Sequence, residues 1–276
     1  AAPYAGLILS ELGARVIKVE NPGTGDYARG WGPPFLDDDA TAFHALNRGK
    51  ESLTLDFSDP AQRAVLMRLI LESDAVIQNL RPGLLSRFGV VLDEIRLKKP
   101  ELIWCDIGAL GATGPLASKP GYDPLAQAGT GIMSVTGEGD RPPVRVGVSL
   151  IDMGSGMWAV IGLLAALVAR RETGQGRLVS TSLFETGLAW MTVPLAGYEA
   201  SGELRRPFGS GTAEIVPYQC FETSDGWLMV AAGNDSLYRK LCGALGLTAL
   251  ATDPDFATNT ARVVNRERLI PQISAV

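Results

Sequence analysis

Val144 to Arg171 reads VRVGVSLIDMGSGMWAVIGLLAALVARR. It opens with an alternating, β-rich run, meets an acid at Asp152, passes Gly154 and Gly156 as a small-residue turn, and continues as an apolar helix closed by Arg170 and Arg171. How that helix is read decides the fold class. The run from Met153 to Ala169 lies at the short edge of the roughly 17–25 residues a membrane span needs, is rich in Gly and Ala, and stands alone in the chain. A buried core helix is expected instead. Asp152 has a structural reading, because an Asp just ahead of a helix, with Ser155 three positions on, is a common N-cap. It also has a chemical one: a carboxylate nucleophile beside a glycine gap that lets a ligand approach, near the positive end of the macrodipole, where negative charge is favoured.

Outward from this stretch, helix and strand patterns alternate. Upstream, Ala5 to Leu12 has helical spacing closed by Gly13, and ARVIKVE (14–20) is rich in β-branched residues. A loop of Gly and Pro over 21–34 precedes the alternating SLTLDF (52–57). Asp59-Pro60 opens a helix to Leu71, with proline where its missing N–H does no harm. AVIQN (75–79) and LIWCDI (102–107) read as strands on either side of a short helix, Leu92 to Leu97. Downstream, LVSTSLFETGLAWM (178–191) is a strand running into a helix. Ile215 to Val230, around YQCFETSDGWLMV, reads as a hairpin turning at Ser224-Asp225-Gly226, followed by a helix over 236–245. Strands alternating with helices predict an α/β fold on a mostly parallel sheet, with ligands at the carboxyl ends of its strands. The expected division is a large domain over 1–190, a linker over 191–212 and a smaller α+β domain over 213–276.

Composition narrows the chemistry. Hydrophobic residues make up 46% and charged residues 20%, as in ordinary globular proteins. A net charge of −5 argues against a general nucleic-acid binder but leaves room for an anionic ligand held by local arginines. Three scattered cysteines without metal spacing point to a reducing, cytoplasmic setting. The single histidine, His44, excludes histidine-rich metal sites, and no GxSxG elbow accompanies it. No metal is expected; Asp37-Asp38-Asp39 reads as a solvated polar loop. Basic residues fall in the loops at strand ends: Arg29, Arg48, Lys50, Arg81 and Arg87. Each taken singly reads as a surface charge, but together they suit phosphate. Neither a Walker sequence nor GxGxxG is present, so a triphosphatase or a nicotinamide dehydrogenase is unsupported. Tyr122-Asp123-Pro124 reads as a helix start, with the Tyr hydroxyl available as a donor near an acyl group. The loop Ala231 to Ser236 has the small residues of a segment that closes over a site.

Taken in order, GLILSELGARVIKVENPGTGD, LNRGKESLTLDF, NLRPGLLSRFG, GYDPLAQAGTG, VSLIDMGSGMWAVIGLLAAL and RETGQGR resemble the class III CoA-transferases, a family that also includes α-methylacyl-CoA racemase. The resemblance runs over nearly the whole chain. It implies a Rossmann-like large domain, an interlocked homodimer, and acyl-CoA and a carboxylic acid as substrates, with no tightly bound cofactor and no membrane partner. Asp152 matches the family's nucleophile, which carries acyl and CoA groups in turn. Arg29, Asn47, Arg48, Asn79, Leu80, Arg81, Arg87 and Tyr122 match positions that line the CoA site, and Gly233-Asn234 the loop that covers it. Racemases carry a histidine where this chain has Tyr122 and a glutamate near Asn234. Neither a phenol nor an amide is a suitable base for the α-proton, so transfer is expected over racemisation. Family chains are longer at both ends, so the chain is expected to be a segment, and a homologue that binds CoA without turnover is the remaining alternative.

Overall fold

A computed structural model describes residues 1–276, which gather into two units. The first comprises Ala1–Thr130 and Val146–Thr192, the second Gly131–Arg145 and Val193–Val276. In chain order the first unit holds α1 (Ala2–Glu11), β1 (Ile17–Glu20), a 3-10 turn (Tyr27–Gly30), β2 (Phe35–Leu36), β3 (Asp39–Ala40) and α2 (Thr41–Asn47). These are followed by β4 (Glu51–Thr54), α3 (Pro60–Glu72), β5 (Ala75–Gln78), α4 (Leu84–Arg87), α5 (Leu92–Lys98), β6 (Ile103–Gly108) and α6 (Asp123–Gly129). After α7 (Ile132–Val135), which belongs to the second unit, come α8 (Leu150–Thr173), β7 (Leu178–Ser182) and α9 (Leu183–Trp190). The second unit continues with α10 (Thr192–Ser201), β8 (Tyr218–Thr223), β9 (Gly226–Ala231), α11 (Asp235–Ala244), α12 (Thr248–Thr252), α13 (Asn259–Val264) and α14 (Arg266–Ser274).

The expected parallel α/β arrangement is present, divided between two sheets. β1 pairs in parallel with β4, Ile17 opposite Glu51, while β5, β6 and β7 lie side by side in parallel. Local signals set several boundaries where the sequence puts them. Asp59 caps α3 by accepting from the Ala61 N–H, with Pro60 in the first turn. The β8–β9 hairpin closes through Ser224 and Asp225, with Thr223 opposite Gly226. Asp37 and Asp38 both have positive φ (49° and 68°) and form the two-residue turn of the β2–β3 hairpin. Asp37 and Asp38 are exposed there, as expected of a solvated polar loop, while Asp39 enters β3 and pairs with Arg29.

α8 is the spine of the first unit. It is long and apolar enough to cross a membrane by length and composition, but one stripe of it is packed: Ile151, Ala159, Val160, Leu163 and Ala166 are buried against β6, β7, α1 and α9. Burying each of the larger side chains contributes about 1.5–3 kcal/mol. The glycines serve helix packing. A Cβ on Gly156 would stand 2.9 Å from the Ala1 carbonyl oxygen, and one on Gly154 would stand 2.9 Å from Thr186 Cγ2. α1 and α9 approach α8 that closely because those positions carry no side chain. The opposite face leaves Met157, Trp158, Ile161, Leu164 and Val168 exposed.

Three expectations need correction. No strand forms over Val144 to Val148; within that run the Val146 N–H donates to the side-chain oxygen of Gln127 at 2.8 Å. The helix already begins at Leu150, so Asp152 and both glycines are helical, and the expected turn between acid and helix does not exist. The linker over 191–212 contains α10, a helix with no buried residue and hence no apolar stripe to read. Residues 131–145 also cluster with the second unit, where the Gly209 N–H donates to the Gly137 carbonyl at 2.8 Å.

In the second unit the hairpin and α11–α14 close over Val216, Phe221, Ala232, Tyr238, Cys242, Phe256, Leu269 and Ile273. Arg262 is wholly buried at its centre. Its Nε donates to the Val216 carbonyl (2.7 Å), Nη1 to the Phe256 carbonyl (2.9 Å) and Nη2 to Asp235 (2.8 Å), and the guanidinium lies over the Tyr238 ring.

Candidate functional site

Asp152 occupies the third position of α8, where a helix still has N–H donors without helical acceptors. Ser149, at the N-cap, makes no side-chain capping bond. The cap comes from 29 residues upstream: Oδ2 of Asp123 accepts from the Ile151 N–H at 2.8 Å and from the Asp152 N–H at 3.0 Å. The Asp152 carboxylate itself is about one-third exposed (34%), and its Oδ1 lies 3.1 Å from the nitrogen of Ala1 at the start of α1. Its other oxygen has no protein partner. The result is a carboxylate on a rigid helix, anchored through its own peptide and accessible to a ligand.

A second cluster forms at the carboxyl end of β5. Arg81, Pro82, Leu84, Arg87 and Ser118 line a cavity of about 250 Å³, and neither guanidinium has a carboxylate partner. Two guanidinium groups without a carboxylate partner around one recess offer the planar donors that suit an anion such as phosphate. The preceding loop is held from below, where Asp106 Oδ1 accepts from Gln78 Nε2 and Trp104 Nε1, both at 2.6 Å, and Gln78 Oε1 accepts from the Leu80 N–H at 2.7 Å. Leu80 and Asn79 therefore sit on a braced turn, with the Leu80 side chain exposed.

The other basic candidates are engaged within the protein. Arg29 gives Nε and Nη2 to Glu20 (2.9 Å each) and Nη1 to Asp39 (2.5 Å), and it stacks on Phe43. Arg48 donates Nε to Glu11 at 2.8 Å. Lys50, expected at the surface, is half-buried and spends its three donors on the Pro3 and Leu46 carbonyls and Asn47 Oδ1. It thereby fixes Asn47 and the first turn of α1. Burial, followed by the charge of Lys18, brings the Lys50 ammonium down to about 8.

Glu20 is the anchor of this group. Hydrogen bonds from Arg29, reinforced by Ser52 and the Asp26 N–H and opposed by burial, hold its carboxyl down at about 2. A carboxylate lowered from its usual range stabilises the fold above pH 4.5, and that contribution is lost as the pH falls towards 2. It amounts to about 3 kcal/mol. Melting temperatures of wild type and Glu20→Gln are expected to differ most above about pH 5 and to converge only as the pH falls to about 2. A difference that stays constant across that window would contradict the assignment.

Tyr122 is 69% exposed at the N-cap of α6, one residue before the buried Asp123. In the second unit, Gly233 precedes Asn234, whose Oδ1 caps α11 by accepting from the Leu237 N–H at 2.9 Å. No three His, Cys, Asp or Glu side chains gather as metal ligands, and His44 Nε2 lies 2.8 Å from the Leu36 carbonyl oxygen. Buried Cys105 has its thiol pushed up to about 12 by burial and by Asp106, which makes it a poor nucleophile. Sequence reasoning passed over Asp123, Gln127 and Gln78. Asp123 was visible only as a helix start, because its contacts lie far along the chain.

The first unit thus combines parallel sheets with a partly exposed carboxylate on its core helix and an arginine-lined recess at a strand end. The particular family follows from comparison with known proteins. The model of CoA-transferase family III matches residues 1–276, and the chain belongs to that family. It is 38% identical over 275 residues to the succinyl-CoA:glutarate CoA-transferase of Mus musculus, covering 100% of this chain and 63% of that protein. It is 39% identical over 272 residues to the succinate–glutarate CoA-transferase of Agrobacterium fabrum, covering 96% of this chain and 68% of that one. A crystal structure of a CaiB/BaiF family protein from Brucella suis superposes with a TM-score of 0.86 at 41% identity, over 99% of this chain and 73% of that chain. The chain thus spans a little under two thirds of the mouse relative's length.

Proposed function

We propose that the protein transfers CoA from an acyl-CoA to a carboxylic acid with Asp152 as the nucleophile. The observation that carries this reading is the half-open carboxylate of Asp152, with one oxygen free, on a helix whose first turn is locked. Asp152 attacks the thioester carbonyl, the C–S bond breaks, and CoA leaves as the thiolate, giving a mixed aspartyl–acyl anhydride. The thiolate then attacks the Asp152 carbonyl of that anhydride and releases the first acid as its carboxylate, leaving an aspartyl-CoA thioester. The acceptor carboxylate attacks this thioester and expels thiolate, and the thiolate takes the new acyl group, freeing Asp152. Every bond formed is balanced by one broken, and no proton or electron is consumed. Because Gly154 and Gly156 are helical, oxyanion stabilisation is not assigned to a glycine turn.

Arg81 and Arg87 are the residues proposed to take CoA phosphates, Asn79 and Leu80 lie on the braced segment just before them, and exposed Tyr122 precedes Asp123 at the N-cap of α6. Arg81→Ala and Arg87→Ala are each expected to raise KM for acyl-CoA about tenfold without changing kcat or the melting temperature. An unchanged KM would remove them from the CoA site. The relatives' names favour a dicarboxylic pair, with succinyl-CoA as donor and glutarate as acceptor. Formation of glutaryl-CoA from that pair tests the transfer; CoA binding without product would leave a relative that binds CoA and does not turn over. Racemisation is not favoured, since the amide of Asn234 is spent on capping α11. The exposed apolar face of α8 fits burial against a second copy of the chain in the cytoplasm.

A further inference from the structure

We infer that Asp123, set in place by Gln127, is a positioning residue for Asp152; this rests on the nucleophile reading above. Asp123 is 2% exposed and Gln127 is fully buried. Gln127 Nε2 donates to Asp123 Oδ1 at 2.6 Å, and Gln127 Oε1 accepts from the Val146 N–H at 2.8 Å. Oδ2 of Asp123 takes the N–H groups of Ile151 and Asp152. The network is closed: each polar atom in it has a partner, and it ties α6 to the segment entering α8 and to the peptide of the nucleophile itself.

Two consequences follow for Asp152. An acid at the third position of a helix ordinarily folds back on the free N–H groups of the first turn. Here Asp123 takes the two N–H groups that an N-cap side chain ordinarily accepts, and the Asp152 side chain stands partly exposed beside the Ala1 nitrogen. A carboxylate that accepts fewer hydrogen bonds is also the better nucleophile. In addition, the peptide bearing Asp152 is pinned on two successive N–H groups, which fixes the direction of its Cα–Cβ bond. Asp123 touches no substrate; it acts through the backbone of residue 152.

The polarity of the pair provides the test. Asp123→Asn keeps an oxygen for the two N–H groups but turns an NH2 towards Gln127, which then cannot serve both that amide and the Val146 N–H. Adding Gln127→Glu restores an acceptor for each donor. Asp123→Asn, Gln127→Glu and the double variant are assayed with succinyl-CoA and glutarate, with rates taken per mole of folded protein and the Asp152–CoA adduct followed by intact mass. Asp123→Asn is expected to lower kcat and the rate of adduct formation about 100-fold with KM for succinyl-CoA changed less than about threefold, and the double variant to recover at least about tenfold. Turnover of Asp123→Asn within about threefold of wild type, or a folded double variant no faster than the single variants, would overturn the positioning role. Should Asp123→Asn not fold, the double variant decides on the same criterion. An adduct that persists in Asp152→Ala would instead overturn the nucleophile reading, a result distinct from either of these.

Discussion

Asp152→Ala is expected to lower the rate of CoA transfer by about 10⁴-fold or more while the melting temperature stays within a few degrees of wild type. The size of the effect follows from covalent catalysis, since without the carboxylate no anhydride forms and the thioester would have to exchange directly between two bound acids. The small effect on stability follows from the geometry. The side chain is one-third exposed and contacts only the nitrogen of Ala1, whereas the capping of α8 is done by Asp123. Turnover within about tenfold of wild type would remove Asp152 as the nucleophile.

Arg262→Met is expected to destabilise the second unit by about 3–5 kcal/mol. The substitution leaves the carbonyls of Val216 and Phe256 buried without donors, at about 1–3 kcal/mol each. It also removes the cation over Tyr238. Asp235 contributes less to the loss, because at 41% exposure its carboxylate is rehydrated when the arginine goes. Hydrogen exchange over residues 235–273 measures the effect: protection of α11, α13 and α14 is expected to fall together. A change below about 1 kcal/mol would mean that those carbonyls find other donors.

The alternation of strands and helices was legible because it rests on local periodicity, and the starts of α3 and of the β8–β9 hairpin were legible because Asp59-Pro60 and Ser224-Asp225-Gly226 carry their own turn chemistry. Asp152 was found as the acid of interest, but its setting was not. From the sequence it looks like an N-cap ahead of a glycine turn, whereas the donor groups there are satisfied by Asp123, a partner that no local pattern reveals. Gly154 and Gly156 mark helix crossings, and that too depends on α1 and α9 lying against them. Arg29 and Lys50 resembled ligand-binding surface charges because side-chain type alone does not say whether the donors point outward. In the fold Arg29 pairs with Glu20 and Asp39, and Lys50 with three inward-facing acceptors. α12 to α14 are too short to show an apolar period, and their core, gathered around Arg262, is assembled from several turns of chain.

Formation of a covalent intermediate on Asp152 is the claim on which the rest depends. Intact-protein mass after incubation with succinyl-CoA, before and after hydroxylamine, tests it directly. The expected result is a hydroxylamine-labile, CoA-sized addition that maps to Asp152 and is absent from Asp152→Ala. A folded protein that binds succinyl-CoA and yields no adduct, or an adduct on another residue, would contradict it.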